Sequence, residues 1–420
     1  MRPLLSFVNF AFVNLFSRSS VFKPNYPQRK YLFRDGEVPV IYDSSNILHR
    51  CLSYHAEQSK RISECVELLL AKRIASSGFN LYDVASKESN AAAISLQSTS
   101  AFITDTELEH ARAMLVKTHS EEYVTNIETR CRNSREERIK QGRAALGWIG
   151  FIDGGDTYLT TESYDVCLRA TAMWIKAVEH VIQSKNEISH GDLTGMNENA
   201  LWKSSMVLSR PPGHHATKGL SNGFCLFNFC AASAIHALES LSSRAPSTSS
   251  KISILDWDVH YGQGTADIVK DFPNMRYVSI HQVPAFPFEG EMLEVSGLNN
   301  NITTIPIHGG TTWENGYQNL YEKTALPFLC SADWIPDLII ISAGYDGLES
   351  DELASVSLGA KDYGLMIDAL AQHLKSSIPQ EARFPGIVVG LEGGYQTSNK
   401  KNSLQLAVYE TVNSLSKYVL

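Results

Sequence analysis

Apolar positions in this 420-residue chain gather into short, dense runs set apart by polar turns. Val38 to Tyr42, Met206-Val207-Leu208, Ile252-Ser253-Ile254-Leu255, Asp337-Leu338-Ile339-Ile340-Ile341 and Gly386-Ile387-Val388-Val389-Gly390 are apolar largely on successive rather than alternate residues. Runs of this kind predict strands covered on both faces, as in a parallel sheet packed between helices. Between them the spacing becomes helical. Ile62, Cys65, Val66, Leu69 and Leu70 share one face of a predicted helix within Ser59 to Ser76, and a second is expected over Ser163 to Gln183. Thr106-Glu107-Leu108-Glu109 predicts a helix start with a capping box and an acidic first turn. Residues 84–103 read as a surface connection and 184–203 as a polar insertion loop, and no internal repeat is visible. Strands alternating with helices predict an α/β fold of βαβ units.

The polar residues that close these strands carry candidate chemistry. Asp256, Asp258 and His260 follow Ile252–Leu255 at alternate positions, so a strand would project them to one side and Trp257 and Val259 to the other. Two carboxylates and an imidazole at the carboxyl end of a buried parallel strand lie where open α/β sheets bind ligands. Taken alone, an Asp-x-His pair is more often a solvated strand exit. Three further exits change that balance: Arg210-Pro211-Pro212-Gly213-His214-His215-Ala216, Ser342-Ala343-Gly344-Tyr345-Asp346 and Leu391-Glu392-Gly393-Gly394-Tyr395. Each combines glycine with titratable side chains. Paired histidines can be a hydrogen-bonded turn and Gly-Gly-Tyr a tight loop, but four such exits together describe one hydrolase centre.

In that centre Asp258, His260 and Asp346 supply three ligands to a divalent ion and leave a position for water and a substrate carbonyl. His214 and His215 are candidates to take the water's proton and give one to a leaving amine. Tyr395 is a candidate donor to the oxygen that becomes anionic. Asp256, deeper on its strand, suits orienting an imidazole and helping to hold a monovalent cation.

Composition adds limits. With 43% hydrophobic and 20% charged residues the chain is globular, as one large α/β domain or two smaller ones. Seven cysteines at wide spacings, with no C-x-x-C pair, predict reduced thiols and no cysteine-based zinc site. Residues 1–34 hold six basic residues, no acid and an apolar run from Leu4 to Phe16 too short to span a membrane. They are expected to be a leader for a mitochondrion or plastid; a secretory or bipartite plastid signal and a disordered tail are the competing readings. Without a leader the location would be cytoplasm or nucleus. The remaining body, 35–420, carries 45 acids against 31 bases once the leader's six are set aside, a net charge of −14. That argues against direct nucleic-acid binding and favours cationic small molecules or basic peptides.

These motifs, with Gly223-Phe224-Cys225-Leu226-Phe227-Asn228 and Asp256-Trp257-Asp258-Val259-His260, resemble the signature blocks of the arginase/deacetylase superfamily. Within it the chain is similar to class II-type histone deacetylases, including organellar plant members, and to acetylpolyamine amidohydrolases. The likeness runs from about Val38 to the C-terminus, with His55-Ala56-Glu57 and His119-Ser120-Glu121-Glu122-Tyr123 as early blocks. It implies a single α/β domain with a central eight-stranded parallel sheet flanked by helices. It also implies one zinc ion on Asp258, His260 and Asp346, a histidine pair at His214 and His215, and a transition-state tyrosine at Tyr395. A structural potassium ion would use Asp256 and Ser279, with carbonyls of Asp258, His260 and Ile280. Gly223, Phe224 and Phe286 would wall a channel for an acyl-lysine stem, and Asp156 would bind substrate main chain at the rim.

Two departures stand out. The family's His-His-Gly-Asn-Gly is His260-Tyr261-Gly262-Gln263-Gly264 here, so the amide expected to orient His215 sits one methylene further out. The channel loop, commonly Tyr-Pro-Gly-Thr-Gly, is Phe286-Pro287-Phe288-Glu289-Gly290, with Glu291 next, which reshapes the mouth in favour of a cationic substrate. The expected function is a zinc-dependent amidohydrolase that removes acetyl or short acyl groups from lysine side chains of proteins or peptides, histones among them. An acetylpolyamine hydrolase is the alternative enzyme, and a catalytically weak acyl-lysine-binding module the alternative outside enzymes. An arginase-type ureohydrolase would need a second metal site, which the sequence lacks. Oligomeric state is left open.

Overall fold

A computed structural model describes residues 33, 36–73, 78–85, 103–183, 201–244, 249–379, 382–397 and 403–419. Apart from Phe33, the expected leader lies outside the described residues, as do most of 84–103 and of 184–203. Leu201 and Trp202, at the end of the stretch read as a polar insertion, are buried, and Trp202 bridges to Val419.

The strands are β1 (Val38–Tyr42), β2 (Phe79–Asp83), β3 (Trp148–Phe151), β4 (Tyr158–Thr160), β5 (Ser204–Leu208), β6 (Ile252–Asp256), β7 (Met275–Gln282), β8 (Glu294–Ser296), β9 (Ile302–Ile307), β10 (Leu338–Ala343) and β11 (Gly386–Leu391). Nine form one sheet in the order β2-β1-β5-β11-β10-β6-β7-β9-β8, and β3 and β4 form a separate antiparallel pair. The expected eight parallel strands are present. The ninth, β8, pairs antiparallel with β9, because the two are joined by a short turn through Gly297, Asn299 and Asn300, all at positive φ; so local a connection gives an antiparallel pair.

Successive residues of the central strands feed two different cores. Ile339, Ile341 and Ala343 of β10 join one cluster while Leu338 and Ile340 join the other. On β6, Ile252 and Ile254 face the second cluster and Leu255 the first. Helices Lys60–Arg73, Ala360–Ser377 and Leu404–Ser416 contribute to the first core; Asp105–Thr118, Ser163–Gln183 and Phe229–Arg244 contribute to the second. Each fully buried Ile, Leu or Val contributes about 1.5–3 kcal/mol, so the two faces together hold the sheet rigid beneath its carboxyl edge.

One helix start differs from the reading above. The cap is Thr104, not Thr106: its hydroxyl accepts from Glu107 N while Glu107 Oε2 accepts from Thr104 N. Two T-x-x-E frames overlap in the sequence. The earlier one places Ile103 and Leu108 as the flanking apolar pair, and both pack into the second core, which selects that frame.

Candidate active site

The four exits converge because their strands are neighbours. β5, β11, β10 and β6 are adjacent in the sheet, and the loops leaving their carboxyl ends carry His214 and His215, Tyr395, Asp346, and Asp258 with His260. Strand β6 ends at Asp256, so Asp258 and His260 stand on the loop, yet Trp257 and Val259 still turn into the first core.

Ligand atoms of Asp258, His260 and Asp346 lie within 4.8 Å of one another. His260 Nδ1 is 3.3 Å from Asp258 Oδ1 and 3.1 Å from Asp346 Oδ2. Backbone donors fix the carboxylates: Gly393 N bonds Asp258 Oδ2 at 2.8 Å and Val259 N bonds Asp346 Oδ1 at 3.0 Å. A Cβ on Gly344 would overlap Asp258 Oδ2, and one on Gly393 would overlap carboxylate oxygens of both aspartates. Glycine is needed at both positions for the acids to sit so close. Burial, together with Asp258, raises the Asp346 pKa, although His260 opposes it. Two fully buried carboxylates beside an imidazole nitrogen form a donor set of the kind that holds a divalent cation.

The histidines are polarised in opposite senses. His214 Nδ1 lies 3.1 Å from Asp256 Oδ2, and its ring centroid is 4.0 Å from that of His215. Burial pulls the His214 pKa down, but Asp258 and Asp256 outweigh it and push it up to about 10. His215 Nδ1 is 2.6 Å from Gln263 Oε1. Burial, His214 and His260 hold His215 well below the usual histidine range. Gln263 thus reaches the imidazole despite its extra methylene, because it stands in the first turn of helix Gln263–Val269.

Asp256 and Ser279 are partners across β6 and β7. Asp256 also accepts from Tyr277 OH at 2.8 Å and Asp258 N at 3.1 Å, while Ser279 Oγ lies 2.9 Å from His281 Nδ1. Phe286 meets His215 edge-on at 4.9 Å, and Phe224 meets Tyr395 edge-on at 5.5 Å. Gly223, at φ 48°, fits where a Cβ would press on His215 and Phe286. Phe224 also has positive φ, 67°, a strained state for a bulky residue. Thr157 Oγ1 holds it there by accepting from Phe224 N at 2.9 Å. Asp156 is exposed on the β3–β4 loop, and its carbonyl faces His55 Nε2 at 2.9 Å. Direct contacts thus join Asp256, His214, His215, Gln263, Phe286, Asp258, His260 and Asp346 to one another, and Phe224 to Tyr395; Asp156 stands apart on the exposed β3–β4 loop.

Other contributors carried no assigned role in the sequence. Arg61 is stacked over the Tyr395 ring at 4.7 Å and donates to the carbonyls of Gly394 and Glu392. Glu57 binds Arg210 through both oxygens, at 2.8 and 2.6 Å, and Arg61 at 3.3 Å. Glu392 accepts from Gly213 N and from Ser342 Oγ; burial raises its pKa to about 7 against the opposing pull of His214. Asp351 accepts from Tyr395 N at 2.7 Å and Gln396 N at 3.2 Å, tying the Tyr395 turn to the loop that bears Asp346.

The description "Histone deacetylase domain" matches residues 55–411. The chain belongs to the histone deacetylase family. It is 35% identical over 286 residues to an uncharacterised Synechocystis protein, covering 68% of this chain and 80% of that one. It is 29% identical to "Histone deacetylase 14, chloroplastic" of Arabidopsis thaliana, covering 69% of this chain and 63% of the relative. The chain thus spans less than two thirds of that relative's length. Among solved structures, the HDA15 HD domain shares the fold, with a TM-score of 0.66, 22% identity, and coverage of 91% of this chain and 89% of the other. Histone deacetylase family membership puts this chain among hydrolases of amide bonds.

Proposed function

We propose that this histone deacetylase family member is a zinc-dependent amidohydrolase that removes acetyl or short acyl groups from lysine side chains of proteins, histones being candidate substrates. The observation that carries the reading is the Asp258, His260 and Asp346 cluster, with both carboxylates buried, beside the His214 and His215 pair: His214 Nε2 is 3.6 Å from Asp258 Oδ1 and the His215 ring centroid 6.1 Å from that of His260. The donor set fits a divalent ion: two carboxylates and one imidazole nitrogen, with backbone N–H groups bound to Asp258 Oδ2 and Asp346 Oδ1. Bound there, zinc would polarise the scissile carbonyl and acidify a water molecule.

The chain's own groups supply the remaining steps. Phe224 and Phe286 line a narrow passage that suits the methylene stem of an acyl-lysine and excludes bulk water. His215, kept neutral, has Nε2 free to take a proton from the attacking water and return it to the departing amine nitrogen. Gln263 orients it through Nδ1, and Asp256 orients His214 in the same way. Tyr395 OH, which bonds no other described residue, is left to donate to the carbonyl oxygen as it becomes anionic. Asp256 and Ser279 offer a carboxylate and a hydroxyl for a potassium ion beneath the site, and Asp156 an acceptor for substrate main chain at the rim.

Glu289 and Glu291 beside the channel favour cationic substrates, and acetylpolyamines are the competing class. Acetate release from acetyl-lysine peptides and from acetylated polyamines, measured side by side, is expected to favour the peptides. A preference for polyamines would overturn the substrate assignment, and no turnover of either class would favour the acyl-lysine-binding module. We also propose an organellar location, supported by the basic, acid-free composition of residues 1–34 and by the chloroplastic designation of the Arabidopsis relative.

A further inference from the structure

Beyond the channel mouth, the segment 288–298 is unlike the rest of the surface. Five of the thirteen exposed large apolar side chains among the described residues fall within these eleven positions: Phe288, Met292, Leu293, Val295 and Leu298. Three acids, Glu289, Glu291 and Glu294, alternate with them, all exposed, and the segment contains no base. Phe288 is 70% exposed while holding φ at 64°. The fold thus keeps a bulky residue in a conformation that favours glycine without gaining burial from its ring, which points outside the fold for the compensation. The segment is anchored rather than loose. His281 Nε2 lies 2.9 Å from Gly290 O, Thr304 Oγ1 donates to Met292 O at 2.8 Å, and residues 294–296 form β8. β8 is the last strand of the sheet, and no described strand pairs with its outer edge.

We propose that this strip docks an extended, basic and apolar stretch of the acylated polypeptide, lying along the outer edge of β8 while the acyl-lysine occupies the channel. The inference rests on the amidohydrolase reading above and deepens it by naming what flanks the reacting lysine. Two features select this occupant. The acids match Lys and Arg side chains, and an extended chain can use the edge of β8 that no described strand occupies while its apolar side chains meet Met292, Leu293 and Val295. The strip is also continuous with the channel, since Phe288 is two residues from Phe286, whose ring meets His215. Val295 is nine positions after Phe286, so a substrate chain of about nine to ten residues beyond the acyl-lysine, at roughly 3.3 Å each, suffices to reach β8.

The test compares two substrates on the full-length protein: a minimal Nε-acetyl-lysine amide, and an acetyl-lysine peptide extended by about ten residues rich in Lys, Arg and Leu. Two variants are made outside the catalytic and channel machinery, Met292→Ser/Val295→Ser and Glu294→Lys. The expected result is a rise in KM for the long peptide of about fivefold or more in each, with kcat/KM for the minimal amide unchanged. The wild-type KM for the long peptide should also rise with salt, as for an exposed charge-guided contact. Equal kinetics of wild type and variants on the long peptide would overturn the proposal, and so would parallel losses on both substrates. Loss of a wild-type dimer in the variants with unchanged peptide kinetics would assign the strip to a second copy instead. Should neither substrate turn over, fluorescence anisotropy with the labelled long peptide still decides: weaker binding by both variants supports docking, and equal binding refutes it.

Discussion

Replacing Tyr395 with Phe isolates one atom of the site. The ring is held from three directions: Arg61 lies over it at 4.7 Å, Phe224 meets its edge at 5.5 Å, and Asp351 bonds its backbone N–H at 2.7 Å. None of these contacts involves the hydroxyl, so the Phe ring should occupy the same place. The hydroxyl bonds no other described residue, so its removal orphans no described partner and should leave folding stability nearly unchanged. What disappears is a donor whose partner gains negative charge as the amide is attacked. Loss of one such donor costs about 10²-fold to 10³-fold in kcat, or roughly 2.7–4 kcal/mol of transition-state stabilisation. The interaction is weaker in the ground state, so binding of a substrate-like inhibitor should change by less than about tenfold. The assay is steady-state acetate release from an acetyl-lysine peptide, with inhibitor affinity and zinc content measured on the same preparation. A kcat within about threefold of wild type would refute the role given to Tyr395, as would a parallel loss of zinc.

Two further outcomes follow from other residues. His119 is buried with Nδ1 2.7 Å from Thr217 O and with Nε2 accepting from Asn228 N at 3.0 Å; burial lowers its pKa to about 4, against a smaller opposing effect of the Thr217 carbonyl. Its folded pKa lies below the unfolded value of about 6.5, so the unfolded chain binds the extra proton first and stability is lost as pH falls from about 6.5 toward 4. The wild type should lose about 2 kcal/mol from this residue between pH 7 and pH 5; His119→Gln should show a shallower decline in urea denaturation, and identical slopes would contradict the assignment. Residues 1–34 fused to a fluorescent reporter should deliver it to a plastid or mitochondrion, and diffuse cytosolic fluorescence would count against a leader.

What could be read from the chain was whatever has a short period. The β10 and β11 runs are apolar at every position because alternate residues feed different cores, and the ligand row is visible because Asp256, Asp258 and His260 keep strand spacing even where the strand has ended. β8 left no trace, since Glu294-Val295-Ser296 is held by pairing with β9 rather than by burial. The cap at Thr104 was hidden by an overlapping motif and chosen by packing of Ile103. Arg61 and Asp351 act on the Tyr395 turn from 333 and 44 residues away in sequence, and contacts that long leave no pattern along one chain. Gln263 was recognised as a departure, but its contact with His215 depends on where the helix begins.

The central claim is that Asp258, His260 and Asp346 together hold the metal on which amide hydrolysis depends. Its most direct test is zinc content, by elemental analysis, alongside acetyl-lysine peptide hydrolysis for the wild type and Asp346→Asn, with circular dichroism to show that both are folded. The wild type should carry one zinc per chain, lose activity to a chelator and regain it when zinc is returned. Asp346→Asn should fold, retain far less zinc and show no measurable turnover. A folded Asp346→Asn with full zinc and normal turnover would contradict the account.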